Sequence, residues 1–128
     1  MTTTSNSTLR TYGLAYIPVI IWAAVIFIFS SQQTLPSLET SVFDFVFKKG
    51  AHMFVYAVLY LLLVRAVKKT VSHDSATYFW LPIVLVVAYA ITDETHQQFV
   101  PGRYGTIRDI GFDVLGAGIV FLRQYRYI

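Results

Sequence analysis

The chain has 128 residues, of which 55% are hydrophobic and 13% charged, with a formal net charge of +3 and no cysteine. Soluble domains are typically about 45–50% apolar and about 25% charged, and disordered chains combine low hydrophobicity with high charge, so the composition excludes both classes. The lack of cysteine excludes disulfide scaffolds, thiol nucleophiles and Cys-ligated metal sites. A mean hydropathy of +0.57 indicates a membrane protein, whose scattered basic residues fit membrane flanks better than a nucleic-acid partner.

The N-terminal part of the chain predicts a short tail and a first membrane span. Residues 1–11 are predicted to be a disordered cytoplasmic N-terminus, because their first eight residues are all polar apart from Met1. Residues 12–29 form an uncharged run of 18 residues, long enough with its flanks to cross about 30 Å of hydrocarbon. A cleaved signal peptide fits less well, since its apolar core would be shorter and followed by small residues. We therefore place span 1 at 12–30.

Three further spans are predicted at 48–67, 76–93 and 106–123. The second has an apolar run of only 12 residues, but Lys48, Lys49 and Arg65 at its flanks can extend to the interfaces. The third contains an uncharged run of 18 residues. The fourth carries Asp113 within it, and its glycines would allow close helix packing. The predicted fold is an all-α membrane protein, a compact bundle of four short transmembrane helices forming one domain at 12–126.

The distribution of basic residues predicts the orientation of these spans. With four spans, both termini and the middle loop share one side of the membrane. The positive-inside rule assigns the more basic side to the cytoplasm. That side carries Arg10, Arg65, Lys68, Lys69, Arg123 and Arg126, and the other carries Lys48, Lys49, Arg103 and Arg108. Both termini are therefore predicted to be cytoplasmic.

The opposite side collects the residues with reactive or hydrogen-bonding side chains, where all four spans end or begin. Residues three or four positions apart share a helix face. The sets with this spacing are Lys48, His52 and Tyr56 on span 2, with Lys49 beside His52, then Asp93 and His96 on span 3, and Asp109 and Asp113 on span 4. If these faces turn inward, they form a polar pocket that faces outward from the cell.

Several of these residues also have ordinary structural interpretations. His52 would then be an interfacial histidine, and Tyr56 part of an aromatic belt. Asp109 would cap span 4, since Thr106-x-x-Asp109 resembles a capping box. Asp93 and Glu94 require another explanation, because two carboxylates at a helix C-terminus face the unfavourable end of its dipole and need cationic partners.

Asp113 favours a functional interpretation on physical grounds. An acidic side chain in hydrocarbon costs about 2.5–3.5 kcal/mol on insertion scales, so it is expected to face the bundle interior. A hydrogen bond that pairs helices is the structural alternative. Asp93 and His96, together with His52 and Asp109, could also form a metal site. That spacing is a weak signal, so we predict neither metal nor cofactor.

Four short motifs in fixed order resemble the VanZ-like family of small bacterial membrane proteins. They are Phe29-Ser30-Ser31-Gln32, Lys49-x-x-His52-x-x-x-Tyr56, Asp93-Glu94-x-His96-Gln97-x-Phe99 and Pro101-Gly102-Arg103-x-x-x-x-x-Asp109. The resemblance implies a multi-pass protein of the bacterial cytoplasmic membrane, in a family named for a member associated with teicoplanin resistance. It supplies no reaction. Asp113 departs from it, since the family usually has Asn there.

The sequence thus predicts a pocket facing the cell envelope that binds or processes an anionic amphiphile, either a phospholipid or a lipid-linked cell-wall precursor. Arginine and lysine would hold its phosphate or carboxylate. In an enzyme, a carboxylate would act as general base beside a histidine. The candidate catalytic residues are His52, Asp93, Glu94 and His96, and the candidate binding residues are Gln32, Lys49, Tyr56, Gln97, Arg103, Arg108, Asp109 and Asp113.

Two other functions remain open at this point, and the residues do not separate an enzyme from a binding protein. The first is a non-enzymatic membrane module that shields a surface ligand or supports a partner membrane protein. The second is a small transporter that uses Asp113 as a protonatable group. Four short spans leave little room for alternating access in a monomer, so a transporter would need to form a homo-oligomer.

Overall fold

The computed structural model describes residues 3–33 and 42–128 and contains only helices as regular elements in those residues. The helices are α1 Thr3–Ser30, α2 Val42–Thr70, α3 Ala76–Gln97 and α4 Ile107–Gln124. The predicted all-α class is confirmed.

Three of the four helices are long and apolar enough to cross a membrane. The qualifying segments are Asn6–Ser30, Val42–Thr70 and Ala76–Gln97. Large apolar side chains on their surfaces are exposed, as expected for contact with lipid, among them Ile20 at 65% and Val84 at 56%. Helix α4 has 18 residues and carries charged residues near both ends and at Asp113. The membrane-spanning role of 106–123 therefore stays a prediction.

The helices extend beyond the predicted spans. Helix α1 begins at Thr3, within the segment 1–11 predicted to be disordered; residues 1 and 2 lie outside the described part of the chain. Helix α2 begins at Val42 rather than at 48. Asp44 in its first turn complements the helix dipole and pairs with Lys48 one turn later, at 2.7 Å. Helix α3 continues past 93 to Gln97.

Hydrogen bonds fix the relative direction of the helices. At one end, Tyr12 and Tyr16 of α1 each place their hydroxyl 3.1 Å from Thr70, the last residue of α2. At the other end, Ser30 at the close of α1 bonds Asp93 near the close of α3. Helices α1 and α3 therefore run parallel, and α2 runs against them.

We call the second of these ends the polar end and define it by Ser30, His52, Asp93, Glu94 and Asp113. The end around Thr70 is called the opposite end. The sequence predicted that all four spans meet near these residues, and the contacts described below confirm that meeting.

Helix α2 supplies most of the buried core. Its buried residues are Tyr56, Leu59, Tyr60, Leu63, Val64, Ala66 and Val67. Side-chain donors also join α1 to its neighbours: Trp22 Nε1 donates to the Val55 carbonyl at 2.9 Å, and the Tyr89 hydroxyl to the Ala23 carbonyl at 2.5 Å. Such bonds satisfy polar groups that hydrocarbon would leave without a partner.

Helices α2 and α4 approach most closely at Gly116. A Cβ atom at this position would lie 2.1 Å from the Met53 carbonyl oxygen and 2.6 Å from the Met53 Cα. The sequence predicted close packing from Gly111 and Gly118 with Gly116 beside them, but a Cβ at Gly111 or Gly118 would have no heavy atom within 4 Å. The close contact therefore falls on Gly116, which lies between them.

Candidate functional site

Asp93 is the acceptor for three side chains at the polar end. Its Oδ2 accepts from Ser30 Oγ at 2.8 Å, from the Tyr56 hydroxyl at 3.1 Å and from Gln97 Nε2 at 3.4 Å. Only 3% of Asp93 is exposed, and its Oδ1 is buried without a hydrogen-bond partner. Helices α1, α2 and α3 thus converge on one carboxylate.

A second carboxylate comes from α4 and pairs with α2. Asp113 Oδ1 lies 2.9 Å from His52 Nδ1. The Asp113 side chain is fully buried, whereas 21% of the His52 side chain is exposed. The other oxygen, Asp113 Oδ2, is buried without a hydrogen-bond partner. Asp113 therefore faces the bundle interior, as its cost in hydrocarbon predicted.

The third buried carboxylate, Glu94, is held by the start of α4. Its Oε2 accepts from the Thr106 backbone N–H at 3.2 Å, while its Oε1 is buried without a partner. The loop before α4 lies directly on this residue. A Cβ at Gly105 would lie 2.1 Å from the Glu94 carbonyl oxygen. Only a residue without a side chain allows that approach, and the approach leaves Glu94 1% exposed.

Only one of the two hydrogen bonds of the capping box predicted at the start of α4 is formed. The Thr106 hydroxyl accepts from the Asp109 backbone N–H at 3.2 Å, as in a capping box. The Asp109 carboxylate does not return to the Thr106 N–H, however, since that N–H donates to Glu94. Asp109 instead forms a salt bridge with Lys49.

The cations of the polar end lie around these carboxylates. The Lys49 ammonium and the Arg108 guanidinium both lie 5.7 Å from the centre of the Phe45 ring, a cation–π arrangement. Arg103 Nη2 donates to Gln97 Oε1 at 3.1 Å, and its Nη1 to the Gln32 carbonyl at 3.5 Å. Gln97 thereby connects Arg103 to Asp93.

A comparison with protein families decides what kind of chain carries this arrangement. The VanZ/LLP1 family model matches residues 15–125. The chain belongs to the VanZ/LLP1 family. Comparison with the curated proteins and with the solved structures gives no match.

The motif positions of this VanZ/LLP1 chain do not all join one cluster. The Gln32 side chain donates to the Ile28 carbonyl, and the Gln32 backbone carbonyl accepts a hydrogen bond from Arg103. His96 stacks on Phe27 with ring centres 4.5 Å apart, and its Nδ1 is buried without a partner. Among the candidate catalytic residues, His96 therefore lies against α1 and apart from the hydrogen-bonded carboxylates.

The structure of this VanZ/LLP1 chain distinguishes the two lysines that the sequence placed beside His52. The sequence put Lys48, His52 and Tyr56 on one face of α2, with Lys49 as a further neighbour of His52. Lys48 pairs with Asp44, and Lys49 is the lysine that contacts α4. The inward face therefore follows positions 49, 52 and 56, spaced by three and four residues as a helix requires.

The four-residue metal site considered from the spacing is not assembled. Asp93 bonds Ser30, Tyr56 and Gln97, while Asp109 pairs with Lys49. A different trio meets: His52, Glu94 and Asp113 each offer a ligand atom, and these atoms all lie within 4.8 Å of one another.

Two residues of the polar end stood in predicted motifs but were not among the predicted site residues. Ser30 donates to Asp93, and the Thr106 backbone holds Glu94. Ser30 lies one helical turn after buried Ile26, so its position on the inward face of α1 was available as a signal. The Thr106 contact had no such signal, since backbone atoms carry no residue identity.

The outward-facing polar pocket remains a prediction for this VanZ/LLP1 chain. The polar residues described above form a packed, hydrogen-bonded cluster. The structure does contain a groove of about 600 Å³ between α2 and α4, but it lies toward the opposite end. Its lining is Leu61, Val64, Arg65, Lys68, Lys69, Val120, Arg123 and Gln124.

Proposed function

We propose that the chain binds an anionic amphiphile at the polar end, in the bacterial cytoplasmic membrane, and that Arg103 and Arg108 hold its phosphate or carboxylate group. The observation that carries the proposal is the hydrogen-bonded path from Arg103 through Gln97 to the buried Asp93. Buried acids in a membrane bundle are costly and usually functional. A cation attached to them at the boundary of the bundle suits a ligand with an acidic headgroup and apolar tails.

The two arginines have different supporting roles in this proposal. Arg103 is partly buried and oriented by Gln97 and Gln32, so part of its planar donor set is fixed before a ligand arrives. Arg108 is exposed beside Phe45 and adds charge at the surface. Lys49 is already neutralised by Asp109, and we therefore assign it to positioning α4 rather than to the ligand.

The proposal extends to processing of the amphiphile by groups behind the arginines. When no metal ion occupies them, Glu94 Oε1 and the His52 ring are the acid–base groups available there, since Glu94 Oε1 has no partner and His52 is partly exposed. Such binding or processing of a lipid-linked wall precursor would alter susceptibility to teicoplanin-type antibiotics. We favour this function over passive support of a partner protein because passive support does not require acids buried at the polar end.

Arg108→Gln is expected to weaken binding of anionic lipid about five- to thirtyfold, since each charge-assisted contact contributes about 1–2 kcal/mol. Native mass spectrometry in detergent would count the retained lipid, with phosphatidylglycerol and undecaprenyl phosphate as separate probes and phosphatidylcholine as the zwitterionic reference. Preference for one probe identifies the source of the headgroup.

Arg10→Gln is the matched control, because Arg10 is an exposed arginine of α1 outside the polar end. It should retain wild-type binding. Equal retention of all three lipids, or an equal loss in both variants, would refute a headgroup site at the polar end. Arg103→Gln tests the oriented cation and should weaken binding further.

Single cysteines placed in the cysteine-free chain should show which end faces outward. Tyr104 is 86% exposed beside the polar end, and Ser72 is exposed at the opposite end. We expect an impermeant thiol reagent on intact cells to label Tyr104→Cys and not Ser72→Cys. The reverse pattern would place the polar end in the cytoplasm. Gly102 is unsuitable for a cysteine, because its φ of +78° disfavours a side chain.

A further inference from the structure

We propose that His52, Glu94 and Asp113 bind one divalent transition-metal ion of the Zn²⁺ class at the polar end. The three residues come from α2, α3 and α4, and one ligand atom from each lies within 4.8 Å of the others. Imidazole and carboxylate together are a donor set that Zn²⁺ accepts, with bonds of about 2.0–2.2 Å. Closing the trio onto one ion requires side-chain movements of about 1 Å.

The second observation is the presence of unpartnered oxygens on both acids. Glu94 is 1% exposed and Asp113 is fully buried, yet Glu94 Oε1 and Asp113 Oδ2 have no hydrogen-bond partner. A buried polar atom without a partner costs free energy, and two neighbouring carboxylates repel each other when both are charged. A divalent cation between them removes both costs together.

Other cations at this end are engaged elsewhere. Lys49 forms its salt bridge with Asp109, and Arg103 donates to Gln97 and Gln32. His52 belongs to the trio itself, and its imidazole acts as a metal ligand in the deprotonated form. Two carboxylates and one imidazole therefore match a doubly charged ion in both charge and donor type.

The proposed coordination leaves room for a further ligand. Three protein donors occupy three positions of a four-coordinate zinc ion, so water or an anionic oxygen can take the fourth. Only this last step rests on the proposed function, because an amphiphile phosphate would be the natural fourth donor. Binding of the ion itself does not depend on any lipid.

Zinc binding is tested on full-length protein in detergent, after tag removal and chelator treatment, with Zn²⁺ alone as the probe. We expect one Zn²⁺ per chain by equilibrium dialysis. Glu94→Gln and Asp113→Asn should each weaken binding at least tenfold, because each removes a charged ligand while keeping the side-chain shape. Co²⁺ should give a visible absorption band in the wild type that both variants lose.

His96→Gln is the matched control, since His96 is a partly buried histidine of the same end that stacks on Phe27 outside the trio. It should bind Zn²⁺ as the wild type does. Absence of stoichiometric binding, or binding that His96→Gln reduces and the trio variants do not, would overturn the proposal. If a trio variant fails to fold, the decisive readout is whether Zn²⁺ raises the wild-type Tm and leaves that of a folded His52→Gln variant unchanged.

Lipid and metal experiments can fail independently. Zinc binding without selective lipid retention would leave the metal site standing and remove the proposed headgroup site. Lipid retention that depends on Arg108, without zinc binding, would support the headgroup site and refute the metal site.

Discussion

Gly116→Val is expected to destabilise the bundle by at least about 3 kcal/mol and to displace α4 from α2. The added Cβ would lie 2.1 Å from the Met53 carbonyl oxygen and 2.6 Å from two further Met53 backbone atoms. Overpacking typically costs about 1–3 kcal/mol where side chains can adjust. Here the obstacle is helix backbone, so the helices themselves must separate. Titration with SDS in mixed micelles would measure the free energy of unfolding.

Gly111→Ala and Gly118→Ala provide controls in the same helix. A Cβ at either position meets no heavy atom within 4 Å, and alanine is the better helix former by about 1 kcal/mol. Both variants should match or slightly exceed wild-type stability. If Gly116→Val is as stable as these two, α2 and α4 are not in the close contact described above.

His52→Ala is expected to lower the free energy of unfolding by about 3–5 kcal/mol in chelator-treated protein. The substitution leaves Asp113 fully buried with neither carboxylate oxygen bonded, because Oδ2 already lacks a partner and Oδ1 bonds His52. Removing one member of a buried charged pair typically has this effect. Adding Asp113→Asn should recover part of the loss, since a neutral amide is cheaper to bury than an unpaired carboxylate. A double-mutant cycle on unfolding free energies would measure the coupling.

His96→Ala serves as the comparison for this cycle. His96 stacks on Phe27, and its Nδ1 has no hydrogen-bond partner. Its removal should lower the free energy of unfolding only by the value of the ring contact, about 0.5–1.5 kcal/mol. This change should be additive with that of Asp113→Asn. Additivity between His52→Ala and Asp113→Asn would instead show that the two side chains act independently.

The sequence correctly predicted that polar residues of all four helices meet at one end of the bundle, because hydrophobicity and helix order are enough to predict this. Long uncharged runs identify the first and third helices, flanking charges help to place the second and fourth, and alternating direction brings the ends of α1 and α3 to the starts of α2 and α4. Asp113 could be placed in the interior for the same reason, since hydrocarbon rejects a carboxylate. These conclusions need only the cost of exposing charge to lipid.

The choice of partners could not be predicted in the same way. Lys48 and Lys49 are adjacent and chemically identical, and only the rotation of α2 decides that the second contacts Asp109. Gly116 lets α4 approach α2 closely, and no local pattern distinguished it from Gly111 or Gly118 as the glycine in contact. The polar cluster of Asp93 likewise depends on Ser30, a residue 63 positions away.

The bond from the Thr106 N–H to Glu94 closes the intervening chain into a ring of 12 residue steps. Inside this ring, Gly105 rests on the Glu94 backbone and keeps that carboxylate in place. On its outer side, Phe99 and Tyr104 are 80% and 86% exposed. The supporting contact and the exposed surface are thus carried by different residues of one short segment. Substitutions on the outer side can therefore change the surface of the protein while the acids behind the ring keep their geometry.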